Sequence, residues 1–196
     1  CDRSGTRTFV AGDRQTSVRV EPWPGAFLEV DGTDFVLDGE PFHPVGTNNA
    51  YLHHKSHKAV DEVLRDAAAM GLDAVRILVS GGGTEVGYCR DIGCPQEQYG
   101  LQPGPREYDE ASFRRLDYVV AAAKRHGLRV VPSLLTRAPG GIAAYVDWVD
   151  GADDPTDFYT NEECRAIYRD YLTTVLTREN TFTGVEYRND PTTAIW

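Results

Sequence analysis

Arg76 is the residue of this chain that most needs a chemical explanation. It stands alone in "DAVRILVS", a run otherwise nearly free of polar side chains. A guanidinium carries five N–H donors and no acceptor, and burying one among apolar groups is costly unless a carboxylate and further acceptors satisfy it. Past Asp73 at the entrance of this run, no acid occurs in any segment that reads as a parallel strand. The partner is therefore expected in a hairpin, in a loop or outside this chain, either as a salt bridge holding the scaffold or as part of an active site. Asn48, Asn49 and Tyr51 in "VGTNNAYL" offer amides that both donate and accept, which suits sugar hydroxyls, although Asn pairs also serve as plain turn residues.

Other reactive residue types give weaker signals. His43, His53, His54 and His57 gather in one stretch without an H-E-x-x-H spacing and read as polar surface. Asp147, Asp150, Asp153 and Asp154 lack the spacing of a calcium loop and read as solvated charge. Four cysteines without a CxxC pair exclude an obvious zinc site. Cys89 and Cys94 could form a local disulfide in an oxidising compartment, and Cys164, inside a helical pattern, reads as a small core residue. "VSGGGTEVG" suggests a phosphate loop, but Gly81, Gly83 and Gly87 follow G-x-G-x-x-x-G, one residue too long, and no helix opens after them. No cofactor and no metal are expected.

"FLEV" and "FVLDG" flank Asp31-Gly32 as a hairpin. "PFHPVGTNN" follows as a short strand and loop. Val60, Val63, Leu64, Ala67 and Ala68 then mark an amphipathic helix ending at Gly71, where a left-handed cap is expected. "DAVRILVS" reads as a strand covered on both faces. A second helix bears Phe113, Leu116, Val120 and Ala123, stops at Gly127 and leads to the buried strand "LRVVPSLL". A third helix spans about Glu162 to Arg178, with Ile167, Tyr168, Tyr171, Leu172 and Val175 on its apolar face. After the turn signal "NDP", Thr192 to Trp196 begin a fourth strand. Strands alternating with helices require parallel pairing through right-handed crossovers, and long loops after strands favour a (β/α)8 barrel over a doubly wound sheet.

Composition narrows the partners. The 196 residues carry 30 acidic against 20 basic side chains, a net charge of −10 that repels a phosphate backbone, so nucleic acid is a poor partner. Only three of the basic residues are Lys, a bias that a salty habitat and a GC-rich genome explain equally. No apolar run is long enough for a membrane span. Cys1, followed by the polar "DRSGTRTFVAGDRQTS", reads as the lipidated start of a lipoprotein, with an arbitrary start as the alternative, and residues 1–25 read as a flexible lead.

Several stretches together resemble a known family: "VDGTDFVLDGEPFHPVGTNNAYL", "VDEVLRDAAAMGLDAVRI", "FRRLDYVVAAAKRHGLRVVPSL", "YVDWV" and "DDPTDFYTNEECRAIYRDYLTTVLTRENTFTGVEYRNDPTTAIW". Over residues 26–196 they are similar to the amino-terminal half of a glycoside hydrolase family 5 enzyme, most like the endo-β-1,4-mannanases. The resemblance implies a (β/α)8 TIM barrel, of which this chain holds the N-terminal hairpin and the first four strands with three helices. It also implies retaining hydrolysis by two glutamates at the ends of the fourth and seventh strands, both expected beyond Trp196. Arg76 matches an arginine close to the nucleophile, and Asn48 and Asn49 would line the cleft.

The expected substrate is a polysaccharide, β-mannan or another β-glycan, met outside the cell or at its surface. Departures at "ILVSGGG" and at "LLTRAPGG", Leu134 to Gly141, remove aromatic faces on which sugar rings stack, and leave the glycan open. The chain is expected to be truncated in its fourth strand and inactive alone, and to self-associate through exposed strand edges. The alternative is a non-catalytic carbohydrate-binding or scaffold half-barrel.

Overall fold

The computed structural model describes residues 5–11, 14–20, 25–79, 100–136 and 140–196, the first two segments as backbone only. Cys1, where lipidation was expected, Cys89 and Cys94, where a disulfide was considered, and the glycines of "VSGGGTEVG" lie outside the described residues.

Strands β1 (Gly5–Ala11) and β2 (Arg14–Val20) pair antiparallel. This stretch was expected to be a flexible lead. Its β-branched residues, Thr6, Thr8 and Val10 in β1 and Thr16, Val18 and Val20 in β2, are good strand formers, which accounts for the ribbon. Next, β3 (Glu29–Asp31) and β4 (Asp34–Leu37) form the hairpin foreseen at Asp31-Gly32. Its loop takes a positive φ of 62° at Gly32, as primed hairpin turns require. A second tight turn, with φ of 53° at Asp38 and 84° at Gly39, adds β5 (Glu40–Pro41) to the same sheet.

The main sheet is parallel, in the order β6 (Gly46–Asn48), β7 (Ala74–Leu78), β8 (Arg129–Ser133). Asn48 faces Arg76 in the ladder, and Arg76 faces Val131. The crossovers are α1 (His57–Ala69) and α2 (Glu110–Arg125). Each begins on a side-chain cap: Ser56 Oγ accepts from the Ala59 amide at 3.3 Å and Asp109 Oδ1 from the Ser112 amide at 2.6 Å. Each ends as the glycines foretold, at φ of 75° for Gly71 and 71° for Gly127, with Leu72 N–H reaching back to Ala67 O and Leu128 N–H to Ala123 O.

Two short helices, α3 (Ile142–Asp147) and α4 (Asp157–Thr160), precede α5 (Glu162–Thr177). Four to six residues are too few to display a helical period, so from the sequence alone only loop is expected in their place. In the loop joining them, the Asp153 and Asp154 amides donate to Asp157 Oδ2, and of the acidic cluster Asp154 uses its own carboxylate, which accepts from the Thr156 amide at 2.8 Å and hydroxyl at 2.6 Å.

The core lies between the sheet and the helices. Val75, Ile77, Val79 and Val130 project from the sheet against Val60 and Leu64 of α1, Phe113, Leu116 and Val120 of α2, and Tyr171 and Val175 of α5. Each such side chain removed from water stabilises the fold by roughly 1.5–3 kcal/mol. A smaller satellite core joins Ile142, Tyr145, Val146, Phe158, Cys164 and Ile167. There the Cys164 thiol donates to Tyr145 O at 3.4 Å, the small core residue its helical setting suggested.

The expected fourth strand is present only as a parallel bridge between Val130 and Thr193, with Val130 N–H donating to Thr192 O and Ala194 N–H to Val130 O. Asp190 accepts from both the amide and the hydroxyl of Thr192, which keeps the start of this segment in a capped turn.

Candidate active site on the inner face of the sheet

Strands alternate their side chains, so the face opposite the core carries Ala74, Arg76 and Leu78 from β7 and Arg129, Val131 and Ser133 from β8. Arg76 is exposed there. The expectation of a strand covered on both faces therefore fails at Arg76 itself, although Ala74 on the same face is buried and Leu78 half-buried; the side bearing Val75 and Ile77 meets the helices. A cleft of about 360 Å³ runs along this inner face, lined by Leu28 and Phe42 from the hairpin region, Asn48, Arg76, Arg129 and Ile195 among others.

The partners of Arg76 are also not those expected. No carboxylate reaches it among the described residues. Its two terminal nitrogens donate to Asn48 Oδ1 and to Ser133 Oγ, each at 2.9 Å. The guanidinium, borne at the middle of β7, thus links all three parallel strands through acceptors at the carboxyl ends of β6 and β8. Because the side chain is open to solvent, two neutral acceptors suffice and water can serve the remaining donors.

Asn48 and Asn49 divide. The Asn48 amide joins Arg76 directly. Asn49 is linked to the same residue through the backbone, its N–H donating to Arg76 O at 2.9 Å, while its side-chain oxygen is buried without a hydrogen-bond partner among the described residues. Ser133 escaped the sequence reading, as did Arg129, which is 3 % exposed and donates to Pro191 O at 2.7 Å and Ala26 O at 3.2 Å. Burial draws the Arg129 guanidinium below its ordinary pKa, against the nearby charges of Asp38 and Asp73. It closes the lower end of the cleft by tying β8 to the segment ahead of the hairpin.

The histidines require another correction. His53 and His54 are buried, not surface groups, in a single 3₁₀ turn, Leu52–His54, with ring centroids 3.9 Å apart. Desolvation, then the neighbouring His54 and Arg115, hold the His53 pKa well below its usual value, so it is neutral. The turn packs under α2 and fixes the end of the Asn48–Tyr51 loop, an effect of burial that spacing alone does not announce. His57 stays exposed and stacks on the Tyr118 ring at 3.5 Å.

Behind the cleft, a buried ionic knot joins α2 to the segment after α5. Arg178 donates to both oxygens of Asp117 and to both oxygens of Glu110, at 2.8–2.9 Å. Asp117, with no exposure, also accepts from Tyr187 OH, Thr181 N–H and the Thr181 hydroxyl. Here lies the carboxylate-paired guanidinium that had been anticipated at Arg76.

Among the described residues no group of three or more His, Cys, Asp or Glu could hold a metal ion, and no helix is long and apolar enough to cross a membrane.

The chain has relatives among known proteins. The chain is similar to mannan endo-1,4-beta-mannosidase 1 of Oryza sativa subsp. japonica, 35 % identical over 187 residues that make up 88 % of this chain and 40 % of the relative. It is 34 % identical to mannan endo-1,4-beta-mannosidase 1 of Arabidopsis thaliana, over 96 % of this chain and 44 % of that protein. Among solved structures, the endo-1,4-beta-mannanase from Rhizomucor miehei superposes with a TM-score of 0.75 at 29 % identity, covering 86 % of this chain and 46 % of that one. The chain therefore spans less than half the length of these relatives. Residues 25–196 match the family model described as GH family 5 beta-mannosidase-like. The chain belongs to glycoside hydrolase family 5, on its beta-mannosidase-like branch.

Proposed function

We propose that these residues form one side of the substrate cleft of a retaining β-glycosidase directed at β-1,4-mannan or a related β-glycan, acting outside the cell or at its surface. In this reading the hairpin, the three parallel strands and the segment at Thr193 are the first part of a (β/α)8 barrel. The observation that carries it is the guanidinium of Arg76, exposed on the central strand and held among the described residues by neutral acceptors at the carboxyl ends of β6 and β8. An arginine so placed is ready to receive a carboxylate.

Retaining hydrolysis needs two carboxyl groups about 5–5.5 Å apart, one protonated to assist the leaving oxygen and one ionised to attack the anomeric carbon. No Asp or Glu lines the cleft among the described residues. Both carboxyls would come from outside these 196 residues. Arg76 would keep the attacking carboxylate ionised and oriented, through charge and a fork of N–H donors. Asn48 would hydrogen-bond sugar hydroxyls, with Asn49 bracing its loop from behind. The family relatives named for mannan support the substrate class, and the loss of aromatic residues around Leu134 to Gly141 keeps other β-glycans within it.

The test compares two proteins on mannan and on other β-glycans. The longer gene product containing this chain is expected to release reducing sugar with retention at the anomeric carbon, and the 196-residue chain none. Failure of the longer product on every β-glycan, or hydrolysis by the chain alone, overturns the proposal.

A further inference from the structure

We infer that Ser133 is a positioning residue for Arg76, and that the clamp it completes sets which end of the Asn48 amide faces the cleft. The inference rests on the reading of Arg76 as the group that meets the reacting carboxylate. Its own basis is geometric. Arg76 lies on the central strand; Asn48 is its ladder partner on one side, and Ser133 lies two residues beyond its ladder partner Val131 on the other, on the same inner face. One terminal nitrogen of the guanidinium donates to each, at 2.9 Å in both cases. A planar fork fixed at two nitrogens by acceptors on two different strands has its in-plane orientation set, whereas a single acceptor would leave it free to pivot.

The hydroxyl of Ser133 is arranged to accept. Its own hydrogen is directed toward Leu135 O, 3.5 Å away, which leaves a lone pair for Arg76. Leu135 is in turn packed against the satellite core, so α3 and α5 steady the acceptor. The ladder does not need this hydroxyl, because the backbone of Ser133 makes its own contact, accepting from Val79 N–H at 2.9 Å. At the other end, Asn48 spends its oxygen on Arg76, so its NH2 is turned away from the guanidinium. The cleft is offered a donor at Asn48, matched to an acceptor oxygen of a glycan hydroxyl.

Two measurements decide the matter. In the first, the 196-residue chain is treated with phenylglyoxal and each arginine is followed by peptide mass spectrometry. Ser133→Ala is expected to speed modification of Arg76 about threefold or more relative to the other arginines of the same molecule, because one terminal nitrogen loses its acceptor. Ser133→Thr, which keeps the hydroxyl, is expected to restore the slow rate. An Arg76 rate unchanged by Ser133→Ala overturns the clamp.

In the second, Ser133→Ala in the longer gene product is expected to lower kcat on mannan by about tenfold while KM moves less than about twofold, since misorientation costs most where charge develops. Ser133→Thr is expected to recover kcat. Equal kcat for wild type and Ser133→Ala overturns the inference. An inactive wild type speaks against the proposed function instead, and the phenylglyoxal measurement then decides the clamp by itself.

Discussion

Arg178 and Arg76 present the same head group, yet one is closed by two carboxylates, buried Asp117 and exposed Glu110, and the other is held by an amide and a hydroxyl at an open face. The first is spent. Asp117 and Glu110 occupy its fork, and Tyr187 and Thr181 use the remaining acceptor capacity of Asp117. These interactions push the Tyr187 hydroxyl well above its usual pKa, burial first and the Asp117 charge second. The second is oriented but not neutralised. A site that must accept an incoming anion needs the latter arrangement, because an arginine already closed by carboxylates has no charge left to offer. The difference separates a guanidinium that stabilises from one that is poised.

The contrast can be broken most forcefully at Asp117. Replacing it by Ala leaves the largely buried Arg178 with only the exposed Glu110, and removes the acceptor of Tyr187 and Thr181. Loss of one partner from a buried pair costs about 3–5 kcal/mol. Urea denaturation of Asp117→Ala is expected to show a loss of that order; a change below about 1 kcal/mol would erase the distinction.

A second, smaller effect concerns a buried base on which no acid acts among the described residues. The ionisable groups acting on His53 are His54 in its own turn and Arg115 on α2, both cationic when charged. Its native pKa is depressed, so below the ordinary histidine value, about 6.5, the unfolded chain binds a proton that the native one refuses. The contribution to stability is whole above that pH and is lost progressively as pH falls toward the native value, by up to about 1.4 kcal/mol per pH unit. Asp61 and Asp154, held below the usual carboxylate range by Tyr118 and Thr156 respectively, add their losses only in stronger acid, below about pH 4. Denaturation midpoints from about pH 7.5 to about pH 5 should fall in wild type and flatten in His53→Gln; parallel curves would remove His53 from the account.

The smallest effect is the sharpest for the comparison. Arg76→Met should change unfolding free energy by no more than about 0.5 kcal/mol, as at an ordinary surface position. A loss comparable to that of Asp117→Ala would mean that Arg76 is structural after all.

Much of this architecture is legible from residues alone. The apolar spacing along α1, α2 and α5, the stops at Gly71 and Gly127, and the Asp31-Gly32 turn are local, and local chemistry determines them. The hidden parts depend on neighbours distant in sequence. Arg76 looked buried because its neighbours are apolar, while pairing gives a strand one face toward helices and another toward a cleft. Ser133 is a lone hydroxyl with no spacing signal, and only the register of β7 against β8 brings it to Arg76. His53 and His54 looked polar and are covered by a helix that begins more than fifty residues later.

One further contact bears on how such a chain can change over time. The Tyr171 hydroxyl, deep in the core, donates to Val79 O just past the end of β7. That bond moors the exit of the strand to α5, a helix far along the chain. Additions or deletions after Val79 can therefore accumulate without dragging on the sheet, so evolution is free to rewrite what the cleft prefers while the ground under Arg76 holds still.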